Sequence, residues 1–181
     1  EKMVRIAQNK IYILREGENV QIEAYGEHII RVRASKGEIE DLDWTLLPPK
    51  EDQAKVREEE GKTVLENGEI RAVVSPEGKI TFENQAGNIL FEELWRNERD
   101  IDARVLRGRV GGSSHIELHL RQYAEEHFYG LGQEAHDLFD LKGASLDLCQ
   151  QNTKSTIPFV MSSRGYGFIW NNPAIGRVEF G

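Results

Sequence analysis

Thr63-Val64-Leu65-Glu66-Asn67-Gly68-Glu69-Ile70-Arg71-Ala72-Val73-Val74-Ser75 decides the fold class, because two short β-branched runs flank an Asn-Gly pair. Asn-Gly supplies the positive φ angles of a two-residue hairpin loop, so strands are predicted over Thr63–Glu66 and Glu69–Ser75. Downstream, Ser75-Pro76-Glu77-Gly78 turns the chain into Lys79–Glu83, and Gln85-Ala86-Gly87-Asn88 turns it into Ile89–Glu93, a four-strand meander by local chemistry. Upstream, Lys10–Arg15, Val20–Tyr25 and His28–Ala34 alternate with period two. Further short runs follow at Ala103–Leu106, His115–Gln122, Ser145–Cys149, Phe159–Ser162, Phe168–Trp170 and Arg177–Phe180. So many short strands with turn signals between them predict an all-β fold. At 181 residues the chain is large for an immunoglobulin-type unit, and a larger two-sheet β-sandwich is expected.

Two segments invite a helical reading, Lys50–Glu60 and Glu92–Arg99, and neither makes a core helix. The first has only Ala54 and Val56 as apolar residues. It is read as a solvated loop or mobile insertion, since an all-polar helix has no face to bury.

Composition narrows the function. With 31 acidic against 23 basic side chains the net charge is −8, which argues against nucleic-acid and anionic-membrane binding, both of which need clustered Lys and Arg. The single cysteine, Cys149, cannot form an internal disulfide. It is read as a buried structural thiol in a reducing compartment, and a cytoplasmic protein is expected. No apolar run reaches the length of a membrane span, and the start lacks the apolar region of a signal peptide.

Several clusters of reactive residues are candidates for chemistry. His115-Ile116-Glu117-Leu118-His119 has the i, i+4 histidine spacing of a helical zinc motif. On an alternating strand, however, the two rings lie ~13 Å apart at ~3.3 Å per residue, so a polar sheet face is expected and no metal site is assigned. His127, Glu134, His136 and Asp137 surround Phe128-Tyr129-Gly130-Leu131-Gly132-Gln133, and a Glu/His pair could act on a sugar ring oxygen as an aldose epimerase does. The alternative is a sharp glycine turn with a solvated charged rim. Arg31 and Arg33 share a strand face and could clamp a carboxylate or phosphate, against the alternative of a solvated face. Trp44, Trp95 and Trp170, with Tyr12, Tyr25, Tyr123, Tyr129 and Tyr166, could stack on sugar or fill a core. None of these is a self-contained catalytic constellation.

Three ordered blocks carry a resemblance: Phe128-Tyr129-Gly130-Leu131-Gly132-Gln133, then Thr156-Ile157-Pro158-Phe159-Val160-Met161-Ser162-Ser163, then Gly165-Tyr166-Gly167-Phe168-Ile169-Trp170-Asn171-Asn172. Together they resemble glycoside hydrolase family 31, the α-glucosidase and α-xylosidase family. Its N-terminal galactose-mutarotase-like β-sandwich carries a Tyr-Gly-Leu-Gly-Glu turn, an Ile-Pro-Phe strand and a Gly-Tyr-Gly strand, and precedes a catalytic (β/α)8 barrel. Gln133 stands where many members have Glu, and Glu134 is displaced by one position.

The resemblance implies that residues 1–181 are the N-terminal β-sandwich domain of a retaining α-glycosidase, truncated at its C-terminal end. The family's nucleophile motif, Trp-x-Asp-Met-Asn-Glu, has no match, and a barrel of ~250 residues does not fit in this chain. No catalytic residue is therefore assigned, and the chain alone is expected to be inactive. Two carboxyls ~5 to 5.5 Å apart do the parent's chemistry, so no metal or cofactor is implied. The expected partners are the barrel of the same polypeptide and an oligosaccharide of α-linked glucose or xylose. In relatives the segment matching Cys149–Ser155 helps shape the leaving-group subsite. Asn152, near a position where several relatives have Asp, is therefore the first substrate-binding candidate, with Gln151 and Thr153 beside it. Their amides and hydroxyl suit sugar hydroxyls; the alternative is a polar loop that touches only protein. Without the barrel, an exposed and partly apolar docking face predicts self-association. The rival readings are a free-standing carbohydrate-binding module and a compact aldose epimerase.

Overall fold

The computed structural model describes residues 3–95 and 103–181, and every regular element among them is a strand. No helix among the described residues is long and apolar enough to cross a membrane. The chain divides into two compact units, Glu1–Arg121 and Gln122–Gly181.

In the first unit, β1 (Val4–Ala7), β2 (Lys10–Arg15), β3 (Glu18–Ala24) and β4 (Ile30–Ser35) form an antiparallel sheet in sequence order. A second sheet runs through β5 (Lys55–Glu59), β6 (Lys62–Asn67), β7 (Ile70–Val74), β8 (Ile80–Asn84) and β9 (Ile89–Glu92), also in order. The two sheets pack face to face through β1, β2 and β3 against β6, and β4 against β7. Period-two alternation places Ile11, Ile13, Val20 and Ile22 on the inner side of one sheet, and Val64, Leu65, Ala72, Val74, Ile80 and Phe82 are buried in the other. Phe82 and Phe91 stack with centroids 4.5 Å apart. A separate ribbon, β10 (Arg104–Gly108) with β11 (Ser114–Leu118), continues into a segment that bonds to the end of β9 through Glu93 and Leu120.

Two expectations are corrected here. Lys55–Glu59, assigned to a solvated loop or insertion, is the edge strand β5; of the Lys50–Glu60 segment only Lys50–Ala54 is irregular, and Glu60 lies in the turn to β6. An edge strand needs one neighbour and can stay polar: Arg57 pairs with Glu66 at 3.2 Å, and Glu59 with Arg71 at 3.1 Å. The hairpin at Asn67 is present, but Asn67 pairs with Ile70, so the loop is Gly68-Glu69 and only Gly68 has positive φ. Asn67 is instead buried, and its Nδ2 donates to the carbonyls of Gly26 (2.6 Å) and Ile29 (2.8 Å). The Arg96–Arg99 end of the second helical candidate lies outside the described residues.

The second unit has a three-stranded sheet of β12 (Phe128–Gln133), β14 (Ser155–Ser162) and β15 (Tyr166–Ile169), with β14 central, and a ribbon of β13 (Ser145–Leu148) with β16 (Gly176–Glu179). Leu131, Leu141, Val160 and Phe180 form its core, with Phe128, Leu146, Leu148, Phe168 and Val178 packed around them. The Phe128–Gln133 block is a bulged strand rather than a sharp turn. The bulge falls between Gly130 and Gly132, with Leu131 at φ 66°. A Cβ on Gly130 would lie 2.5 Å from Phe159 O, and one on Gly132 would lie 2.3 Å from Ser155 O. Glycine is required there because the neighbouring backbone occupies the space of a side chain.

Candidate functional site

The connection from β13 to β14 crosses between the two sheets of the second unit and carries Gln151, Asn152 and Thr153. Gln151 and Lys154 bridge, with Lys154 N donating to Gln151 O at 3.3 Å, so Asn152 and Thr153 form the tip of a tight turn. All three predicted residues are exposed. The base of the turn is tied down. Gln150 Nε2 donates to Lys154 O (2.6 Å), and Gln150 Oε1 accepts from Thr156 N (3.0 Å), so one side-chain amide replaces missing ladder bonds. Below it, Lys154 Nζ lies 3.1 Å from Glu134 Oε2, with side chains 11 % and 7 % exposed. The result is a firmly based loop whose outward groups can donate to and accept from hydroxyls.

Glu134, His136 and His127 of the neighbouring cluster have partners of their own. Glu134 is committed to Lys154 and accepts from Thr156 Oγ1 at 2.8 Å. His136 Nδ1 accepts from Leu138 N at 3.2 Å, while His127 Nδ1 lies 2.5 Å from Asp140. Glu134 is thus paired with an ammonium and a hydroxyl rather than with His136. Asp140 accepts from Lys142 N, and this bond together with His127 holds its carboxyl below the usual carboxylate range.

His115 and His119 each reach one oxygen of Glu117, at 2.5 and 2.9 Å, and together lower its pKa. Among the described residues no group of three or more His, Cys, Asp or Glu side chains is arranged to hold a metal ion.

Arg31 and Arg33 do clamp a carboxylate, but it is the protein's own Glu23, at 2.7 and 2.9 Å, with Lys10 at 2.8 Å on its other oxygen. Burial pushes Glu23 up, yet the three cations outweigh it and leave its pKa lowered. Cross-strand register explains the cluster, since Lys10, Glu23 and Arg31 are neighbours on one sheet face. Several aromatics carry an arginine on the ring face rather than joining in one surface: Arg5 on Tyr12, Arg31 on Tyr25, Arg15 on Trp95 and Arg164 on Tyr123. Cys149 is half-buried rather than buried.

The residue that sequence reasoning missed is Lys154, whose partner Glu134 lies 20 positions away. The register alone brings them opposite, because Gln133 pairs with Ser155.

Comparison with known proteins identifies the family. A family model described as the glycosyl hydrolase 31 N-terminal galactose mutarotase-like domain matches residues 19–179. A family 31 glucosidase of Pseudescherichia vulneris, itself uncharacterized, is 34 % identical over 91 % of this chain and 35 % of its own length. An α-xylosidase of Saccharolobus solfataricus is 29 % identical over 89 % of this chain and 23 % of its own length. The crystal structure of a GH31 α-xylosidase from a soil metagenome, complexed with xylose, superposes with a TM-score of 0.92 at 37 % identity, covering 98 % of this chain and 29 % of that one. The chain therefore spans about a third or less of the length of these relatives. The match over residues 19–179 and the all-β architecture agree with the blocks at Phe128–Asn172: the chain belongs to the galactose-mutarotase-like N-terminal domain family of glycoside hydrolase family 31.

Proposed function

We propose that residues 1–181 serve as the N-terminal β-sandwich domain of a retaining α-glycosidase, bracing a catalytic (β/α)8 barrel of the same polypeptide. In this reading the domain presents Gln151, Asn152 and Thr153 to the leaving-group sugar of a substrate ending in α-linked xylose or glucose. The observation that carries it is the match to an N-terminal domain along almost the whole chain, in relatives about three times as long or longer. Xylose is the preferred sugar, because the relative with a TM-score of 0.92 is an α-xylosidase solved with xylose.

Retaining hydrolysis needs a nucleophilic carboxylate and an acid–base carboxyl ~5 to 5.5 Å apart. The buried carboxylates among the described residues are otherwise occupied. Glu23 holds Lys10, Arg31 and Arg33, Glu92 holds Lys79 and Arg121, Glu93 holds Arg104, and Glu134 holds Lys154. Glu126 accepts from the hydroxyls of Ser162 and Tyr166. This supports a catalytic pair on the barrel and a supporting role for the domain.

The tip would act on the departing sugar through hydrogen bonds that a small aryl leaving group cannot make. In the protein made from the complete reading frame, Asn152→Ala is expected to lower kcat/KM for an α-linked disaccharide about tenfold, the worth of one hydrogen bond. Activity on an aryl α-glycoside should stay within about twofold. Equal losses on both substrates, or no change on either, would remove the tip from the subsite.

A further inference from the structure

Beneath the exposed tip sits a buried ion pair with an unusual number of attachments. Glu134 immediately follows β12 and lies opposite Lys154, and both side chains are almost fully buried. Lys154 Nζ also donates to the carbonyl of Asp147 on β13 at 3.2 Å. The hydroxyl of Thr156 on β14 lies 2.8 Å from Glu134 Oε1 and 3.2 Å from Cys149 O, and its single proton favours the shorter contact. One carboxylate and one ammonium thus join the ends of β12, β13 and β14 where the tip departs.

Stability is a poor explanation for such a pair. The cost of removing both charges from water offsets much of their attraction, and apolar side chains of similar volume commonly do as well. Charge and hydrogen bonds supply direction, which apolar contacts lack. Lys154 is the last residue of the turn that begins at Gln151, so fixing its side chain fixes the far leg, while Gln150 fixes the near leg. Between these legs the side chains of Gln151, Asn152 and Thr153 are exposed. A rigid base under open polar groups suits presentation to a ligand, because ordering is completed before binding.

We propose that Glu134 and Lys154 are positioning residues for the Gln151–Thr153 tip, setting where its amides and hydroxyl meet the leaving-group sugar. This rests on the reading of the tip as substrate-facing.

Two variants test it in the protein from the complete reading frame. Glu134→Gln keeps the volume and the acceptor for Thr156 but removes the charge. The double variant Glu134→Gln/Lys154→Met removes both charges and so avoids leaving the ammonium buried and unpaired. In both, hydrogen–deuterium exchange of the segment 150–156 should accelerate about tenfold while β15 is unchanged. KM for an α-linked disaccharide should rise about fivefold with kcat, and aryl-glycoside kinetics, within about twofold. Unchanged exchange in the segment overturns the proposal, even if the double variant changes thermal stability. So does faster exchange with unchanged disaccharide KM when Asn152→Ala does change selectivity. If Asn152→Ala leaves selectivity unchanged, the substrate-facing reading fails and the sugar-positioning role falls with it, while the exchange data still decide whether the pair holds the tip.

Discussion

At Asn67 a carboxamide with 1 % exposure bridges two carbonyls of the Gly26–Ile29 turn, which joins β3 to β4 in the opposite sheet. The same turn sends His28 over the hairpin loop, where its Nδ1 accepts from Glu69 N at 3.0 Å. Asn67→Ala strands the buried carbonyl of Gly26, while Ile29 O keeps the backbone N–H of Tyr25 at 3.0 Å, and an unsatisfied buried group costs about 1–3 kcal/mol. A loss of about 1–3 kcal/mol is expected, read as a lower urea midpoint at unchanged m-value. A shift under about 0.5 kcal/mol, the range of an ordinary surface substitution, would show that the turn is held by other contacts. Local sequence rules read Asn67 as a loop residue because Asn-Gly favours positive φ. Its actual partners lie 38 and 41 positions away, beyond the reach of any turn rule. Lys154 escapes for the same reason, and the tip residues are proposed through family resemblance rather than through their own chemistry.

Elements followed the sequence where apolar residues alternate, as in β2, β3 and β8, or run together between legible turns, as in β6 and β7. The reading failed where that signal is absent. β5 has little apolar patterning because it is an edge strand, and the glycines of β12, which read as a turn, serve a bulge. The bulge has a sharp test. Gly132→Ala must place Cβ 2.3 Å from Ser155 O at φ 84°, whereas Gly17→Ala meets nothing within 4 Å at φ 79°. Both carry the left-handed backbone cost of about 1–2 kcal/mol, but only Gly132→Ala must also displace β14. Thermal unfolding should show Gly17→Ala destabilised by about 1–2 kcal/mol and Gly132→Ala by more than about 3 kcal/mol. Equal effects would mean that β12 and β14 separate without cost.

At the scale of the whole molecule, the outward side of the three-stranded sheet in the second unit is apolar. Ile157, Met161 and Ile169 are each more than half exposed, and Phe139, beside Tyr129 with ring centroids 5.1 Å apart, is 85 % exposed. Contiguous apolar surface of this kind marks an interaction face, and the barrel is its proposed occupant. Residues 1–181 alone should therefore self-associate in sedimentation runs as concentration rises, and Ile169→Lys should shift the population toward monomer. A monomer at all concentrations would remove the case for a covered face. The central claim, that this chain supports an α-glycosidase without performing the reaction, is tested most directly by hydrolysis. Residues 1–181 and the protein from the complete reading frame would be assayed side by side on aryl α-xyloside and aryl α-glucoside. The account predicts turnover by the complete protein and none by residues 1–181; turnover by residues 1–181, or inactivity of the complete protein on both glycosides, would contradict it.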